Sequence, residues 1–571
     1  MKAIYAALAA AGLGLSACSQ GNEAATTMDT ASANSATVQT GSAGTGLPDI
    51  SAGNIEAHIR FLAHDLMGGR DAGSEEFLLA ANYVATQFRL MGLEPGGDDN
   101  GYFAMAPFQR VSVDADASSL TVGEGADAVS YTHGEDVFIS ANPALDDGTA
   151  TGEVVFVGYG LTLPHHDYDD YAGIDVTGRI VVVMSGAPDI MASDERSHQQ
   201  RSSTKRATAA AHGAIGMITI SSMGAEQFAS TYGNYVGRSS VELAPEAAEE
   251  AYRQLVASAT ISADVAAEIF ADAPMSLDEA VAAMENGPSS FATGTSVSIT
   301  QRSVRELYEE PNVVGILPGT DPELADEYVI LTAHLDHIGT FPEEQTGVIS
   351  GCRVSGPEDH ICNGAVDNAS GVSVMLETAR TFMEEGAPRR SVVFVALAAE
   401  EKGLLGSEYF STNPTVPHDA MVANVNLDMP VIVYEFSDVI AFGAERSELG
   451  PIATRAAARL GVTISDDPIP QQNLFVRSDH YNFVRQGVPS LFLMTGFSSP
   501  NPAWDEGEGF MGFLNTHYHR ASDQLDLDLL YDQAAKFANI NYIIAREIAD
   551  ADEALTWNEG DFFGEYFGSG D

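Results

Sequence analysis

Between Tyr328 and Asp428, three short apolar runs of strand type each stop at residues of the kinds that bind divalent metal ions. The runs are Tyr328-Val-Ile-Leu-Thr-Ala-His334-Leu-Asp336-His337, Val393-Phe-Val-Ala-Leu-Ala-Ala-Glu400-Glu401 and Ala423-Asn-Val-Asn-Leu-Asp428. Between the first two lies Gly364-Ala-Val-Asp367-Asn-Ala-Ser370-Gly371, where a helix is expected over 368–385. Strands alternating with helices predict an α/β sheet, and ligands collect at the carboxyl ends of the strands of such sheets. Fragments far apart in the chain are therefore expected to converge on one site.

The residue types point to a chemistry. His334 and Asp336 are two apart and share a face of an extended strand, so Asp336 is expected to accept from the ring nitrogen of His334 that a metal leaves free. Asp367 falls where loop becomes helix, an N-cap position with its carboxylate directed away from the helix. Glu400 and Glu401 are adjacent and point different ways, so one can hold metal while the other addresses a water. Asp428 and a late histidine, His519 in Tyr518-His519-Arg-Ala-Ser-Asp523, complete the set. Against the four positive charges of two zinc ions, Asp367, Glu401 and Asp428 supply three negative ones, and a shared hydroxide balances the rest. Imidazole and carboxylate donors without cysteine suit a catalytic zinc pair better than a structural zinc. Magnesium favours oxygen donors, and ferrous iron stays open.

Taken in order, these fragments resemble the co-catalytic zinc exopeptidases, which include aminopeptidase S, glutamate carboxypeptidase II and glutaminyl cyclase. The family pattern is His-x-Asp, Asp-Asn-x-(Ser/Ala)-Gly, Glu-Glu, Asp and a final His, and all five parts occur here in that order. The resemblance implies a mixed, mostly parallel central sheet with helices on both faces. It implies that His334 and Asp428 hold one zinc, that Glu401 and His519 hold the other, and that Asp367 bridges them. Glu400 resembles the general base and Asp336 the residue that orients His334. His519 is preferred to His517 on the same ground, while His337 and His480 are expected to donate hydrogen bonds. Arg477-Ser-Asp479-His480 is similar to a further family segment.

The chain begins with a lysine, a short apolar run and Leu15-Ser16-Ala17-Cys18. The run is too short to span a bilayer and has the flanks of a signal peptide. Residues 1–17 resemble a bacterial lipoprotein signal, with Cys18 lipidated, residues 18–46 a flexible tether, and the protein exported to the periplasmic face as an outer-membrane lipoprotein. The catalytic domain is expected in two parts, 47–136 and 300–550, interrupted at 137–299 by an insert resembling the β-rich protease-associated domain. In the first part, Ile59, Leu62 and Leu66 read as one core-facing stripe, and Gly69-Arg70 as core packing. Helices are expected over 205–212, 244–256 and 277–284. Residues 551–571 form an acidic, aromatic tail. With Cys18 lipidated, Cys352 and Cys362 remain as an even pair, and an exported protein permits their disulfide at the site rim.

Composition sets the outer bounds. The net charge of −54, from 81 acidic and 27 basic side chains, opposes nucleic acid and anionic lipid surfaces, leaving membrane contact to the lipid anchor. The function implied is hydrolysis of N-terminal residues from peptides with a free N-terminus, with Glu400 passing a proton from a water activated by two zinc ions to the leaving amine. Three readings compete with it. A dipeptidase or carboxypeptidase would hold the substrate carboxylate with Arg353 or Arg477. The others are a glutaminyl cyclase-type acyltransferase and a receptor-like protein without turnover, against which the intact Glu-Glu pair argues.

Overall fold

The computed structural model describes residues 46–342, 347–349, 351–354 and 359–568. The expected signal, Cys18 and nearly all of the tether lie outside these residues. Four parallel strands form the middle of the main sheet, in the order Ser391–Leu397, Tyr328–His334, Met421–Asn426 and Ser490–Thr495. Antiparallel partners extend it on both sides: Ser290–Leu317 and Phe103–Val113 beyond the first, and Asp438–Phe442 beyond the last. Every residue of Ser391–Leu397 is buried, as expected for a strand covered on both faces. Alternation along the strands divides the side chains between two cores. Val329 and Leu331 face the helices Ala52–Leu62, Glu75–Met91, Gly371–Glu385 and Tyr531–Asp550. Ile330, Val393 and Val395 face Phe410 and Phe483 on the helices Leu405–Thr412 and His480–Val484.

Ser290–Leu317 is 28 residues long and belongs to two sheets. Its second half pairs with Phe103–Val113, while its first half pairs with Asp147–Val157 and Ser119–Val122. From Asp147–Val157 the second sheet continues in parallel through Ile180–Met184, Gly216–Ile220 and Ala257–Ile261. It has its own apolar core, with Phe156, Ile180, Val182, Ile218 and Ile261 fully or almost fully buried. Ser119–Val122 and Val129–Thr132, which precede residue 137, also belong to it.

Local chemistry explains where elements start and stop. Glu75–Met91 is capped by the Ser74 hydroxyl and ends at Gly92, whose φ of 88° is left-handed. The helix expected over 277–284 is present with those bounds, and its Ser276 and Glu279 form a capping box. The helix expected over 205–212 runs Ser202–Ala211. Over 244–256 only Ala251–Gln254 is helical. Pro245 has no N–H to give a helix, and the Ala244 N–H goes to the Pro107 carbonyl on the neighbouring strand. Leu66 does not join the core and is 82% exposed. Gly68 and Gly69, at φ 49° and 68°, turn the chain after Leu62 and end the helical period.

The aromatic tail folds back on the domain. The Trp557 indole donates to the Gly487 carbonyl at 2.8 Å, and Phe563 is fully buried beside Phe475 and Tyr481. His198 of the insert enters the same cluster and pairs through Nδ1 with the Tyr481 hydroxyl at 2.5 Å. Burial, and then Arg485 and Arg201, push the His198 imidazole down to about 3. It therefore stays neutral in the fold while the unfolded chain takes up a proton below the ordinary histidine value, so stability falls with pH across about 6.5 to 3. Replacing His198 with Phe is expected to flatten that slope by up to about 1.4 kcal/mol per pH unit. Thermal unfolding of both proteins at stepped pH checks this, and parallel profiles would contradict it.

Candidate metal centre

The carboxyl ends of three central strands deliver the site. His334 is the last residue of its strand, Glu400 and Glu401 follow Ser391–Leu397, and Asp428 follows Met421–Asn426. The loop before Gly371–Glu385 brings Asp367, and the turn after Glu508–Thr516 brings His519. His334 Nε2 lies 3.1 Å from Asp428 Oδ1 and 3.3 Å from Asp367 Oδ1. His519 Nε2 lies 3.3 Å from Asp367 Oδ2 and 3.2 Å from Glu401 Oε2. The Asp367 carboxylate thus presents one oxygen to each imidazole and joins two donor sets. The structure brings together all five residues that the sequence singles out as ligands.

His337 takes a place that the sequence did not predict. Its Nδ1 lies 2.7 Å from Glu401 Oε1 and 4.0 Å from Asp367 Oδ1. Neither His337 ring nitrogen nor Glu401 Oε1 has a hydrogen-bond partner among the described residues. The expectation that His337 donates a hydrogen bond therefore fails: the ring is packed against a carboxylate without the alignment a hydrogen bond needs. Buried polar atoms crowded in this way, in a set made only of imidazole and carboxylate, fit divalent cations. His480 packs between Phe475 and Phe492, and His517 pairs with the Ser522 hydroxyl.

Two local expectations need correction. The N-cap of Gly371–Glu385 is Ser370, and Asp367 sits earlier, in a widened turn over Ala365–Ser370. It is held there by Asp523, whose Oδ1 and Oδ2 accept the N–H groups of Val366 and Asp367 at 2.9 and 3.0 Å. Asp336 does not orient His334 with its carboxylate, which is 3.8 Å from Nδ1. Its backbone carbonyl does so, at 3.2 Å. The carboxylate instead accepts the N–H groups of Glu400 and Glu401 at 3.0 and 3.2 Å, because the turn after the strand would otherwise bury both unpaired.

Further residues hold the donors in place. Ser478 donates to Asp428 Oδ2 at 2.5 Å and accepts from the Asn426 amide at 2.7 Å, which gives the Arg477-Ser-Asp479-His480 segment a structural task. The guanidinium of Arg70, fully buried, donates to the carbonyls of Leu62, Leu335, Asn363 and Gly364 at 2.5 to 3.1 Å. It ties the segment after His334 to the segment before Asp367, beyond the plain packing expected of it. Cys352 and Cys362 are bonded to each other, with Cα atoms 6.6 Å apart. The adjoining Arg353 N–H donates to the His519 carbonyl at 2.8 Å. Tyr518 stacks on His519 with ring centroids 3.9 Å apart.

Electrostatics separates the acids by role. Burial, followed by Asp428, Glu401 and Asp479 against the opposing pull of His334, raises the Glu400 carboxyl well above the ordinary range. Burial would also raise Asp367, but hydrogen bonds from His334 and His519 hold it well below. Burial alone would lower His519, and Glu401 and Asp367 instead raise it to about 10. The Tyr518 phenol is pushed up by burial and by Asp367 and Glu401, so it remains a neutral donor. Beside these groups lies a cavity of about 60 Å³ with Met429, Leu474, Phe492 and Met494 on its walls and Arg477 at its edge.

Residues 312–543 match the model of peptidase family M28. This segment belongs to that family. Aminopeptidase NAALADL1 of Mus musculus is 32% identical over 149 residues, which cover 25% of this chain and 16% of that protein. A probable zinc metalloprotease of Pyrenophora teres f. teres (strain 0-1) is 35% identical over 117 residues, 20% of this chain and 22% of the relative. The chain thus spans less than a quarter of the length of these curated relatives. Among solved structures, the aminopeptidase from Aneurinibacillus sp. strain AM-1 aligns with a TM-score of 0.47 at 20% identity, over 88% of this chain and 95% of its own.

Replacing Arg70 with Met strands four buried carbonyls between His334 and Asp367. The expected cost is about 3 kcal/mol or more, read as a fall of several degrees in the apparent Tm. An unchanged Tm would show that the guanidinium does not brace the site.

Proposed function

We propose that the protein is a zinc-dependent aminopeptidase that removes N-terminal residues from peptides, using two zinc ions per chain. The observation that carries this is the Asp367 carboxylate, with its two oxygens 3.3 Å from His334 Nε2 and 3.3 Å from His519 Nε2. His334, Asp428 and one oxygen of Asp367 would hold the first ion, and Glu401, His519 and the other oxygen the second. His519 is preferred to His337 because its single Nε2 faces both acids of the second set. Zinc is preferred on the donor types and on the printed names of the curated relatives.

When bound, such a pair polarises a carbonyl and lowers the pKa of water. The chain's own groups supply the rest. Glu400 projects into the cavity from a turn fixed by Asp336, and its raised pKa suits a group that takes a proton from the attacking water and returns it to the leaving amine. The Tyr518 phenol, kept protonated, can donate to the oxygen of the scissile carbonyl as charge develops there. Met429, Phe492 and Met494 offer an apolar wall to the side chain of the N-terminal residue. The intact Glu400–Glu401 pair supports turnover over a receptor-like role, and two donor sets support a two-ion hydrolase over a one-zinc cyclase.

The finer assignments belong to the same proposal. Residues 137–299 act as a protease-associated insert between catalytic parts at 47–136 and 300–550. The chain is exported as a lipoprotein anchored at Cys18, and the Cys352–Cys362 disulfide, at home in that compartment, steadies the His519 turn.

Glu400→Gln is expected to keep the zinc content of the parent protein while kcat on an aminoacyl anilide falls about 10²- to 10⁴-fold. Metal analysis and turnover on one preparation check both halves. Turnover within a few-fold of the parent would remove Glu400 from the base role. Stripping with a chelator should abolish hydrolysis and adding zinc should restore it; chelator-resistant turnover would contradict a metal-dependent reaction.

A further inference from the structure

A second cavity, of about 180 Å³, lies where the insert meets the back of the catalytic turn. One wall is Lys402-Gly403, the continuation of Glu401, in a turn closed by Gly403 and Leu404 N–H groups on the Glu400 carbonyl at 2.9 and 2.8 Å. The opposite wall holds Arg201 of the insert, which donates to the Val476 carbonyl at 3.2 Å. The next residue, Arg477, borders the reaction cavity. The two cavities thus share the Glu400 turn on one side and the 474–478 segment on the other.

The pocket is charged on both sides. Arg201, Arg485 and Lys402 line it with Glu242, Glu249 and Glu408. A fourth cation, Arg206, lies 4.1 Å over the ring of Tyr252, another lining residue. Four of the chain's 27 Lys and Arg therefore surround one small space in a protein of net charge −54, which singles it out as a place for an anion.

The pairing inside the pocket is loose. Arg485 reaches Asn482 at 3.3 Å, Glu249 at 3.4 Å and Glu408 at 3.7 Å, all longer than the 2.7–2.9 Å usual between a guanidinium and a carboxylate. Glu249 Oε2 and Arg206 Nε are buried without a hydrogen-bond partner among the described residues. Arg201 makes one hydrogen bond and stacks 5.3 Å over Tyr481, which leaves guanidinium donors for the pocket. Burial also pushes Glu242 up to about 7, which weakens the acidic side at neutral pH.

We propose that this pocket receives the C-terminal carboxylate of a short peptide whose N-terminal bond lies in the reaction cavity, with Arg201 and Arg485 as its recognition pair. This rests on the aminopeptidase reading and adds a substrate class to it: peptides of a few residues ending in a free carboxylate. A longer or amidated chain would place an uncharged group against the two guanidiniums and lose their charge-assisted hydrogen bonds.

The test uses the full zinc-loaded chain with three probes: Leu-Ala-Ala, its C-terminal amide, and leucine p-nitroanilide, which has no C-terminal arm. The free acid is expected to exceed the amide by at least about tenfold in kcat/KM, mainly through KM. Arg201→Gln and Arg485→Gln, made separately, should each reduce that preference several-fold and leave anilide turnover within about twofold, which also shows that each variant is folded. Equal cleavage of acid and amide by the parent protein, with the anilide hydrolysed, overturns this inference alone. A preference that survives in both variants overturns it too. Hydrolysis of none of the three overturns the aminopeptidase reading and this inference with it.

Discussion

The structure turns on a crowd of buried carboxylates that the protein does not neutralise by itself. Asp336, Asp367, Glu401, Asp428, Asp479 and Asp523 are all buried or nearly so around His334, His337 and His519. Bringing like charges out of water and together costs several kcal/mol per group unless positive charge accompanies them. Burial raises Asp336 and Asp523 to about 6 and Asp479 to about 7, so part of the crowd is held towards protonation. The imidazoles and Arg70 offset another part. Two divalent ions, one on each oxygen of Asp367, would offset the remainder, and the fold is arranged around the place where they fit.

That place is pinned from several directions. Parallel strands set His334, the Glu400–Glu401 turn and Asp428 along one edge of the sheet. Each delivering segment is then fastened by a buried polar group from elsewhere in the chain: Asp336 on the glutamate turn, Asp523 on the Asp367 loop, Ser478 on Asp428, and Arg70 beneath the first two segments. These bonds cross between sheet, loops and the N-terminal turn, so the donor geometry is fixed by tertiary structure. The shared 28-residue strand binds the insert into the same body, which is why insert residues such as Arg201 and His198 meet the 474–481 segment beside the site.

Much of this was legible in the sequence, for a definite reason. Strand ends are marked by apolar runs that stop, and ligand types are marked by chemistry, so His334, Asp367, Glu401, Asp428 and His519 could be picked out before any coordinates. Roles that depend on the path of the backbone could not. Asp336 two places after His334 suggested a side-chain partner, but the chain leaves the strand at His334 and turns the carboxylate to other N–H groups. Arg70 looked like packing because its four carbonyl partners lie 8 to 294 residues away. His337 approaches Glu401 only through tertiary folding, and nothing in its local sequence marks that contact. The helix expected over 244–256 failed because an Ala- and Glu-rich composition says nothing of a strand edge competing for the Ala244 N–H.

Anomalous diffraction at the zinc absorption edge from crystals of the purified chain tests the central claim most directly. The account predicts two peaks, one on each oxygen of Asp367 and about 3.5–4 Å apart, the first beside His334 and Asp428 and the second beside Glu401 and His519. A single peak, or a second ion held by His337 with His519 turned away, would contradict it.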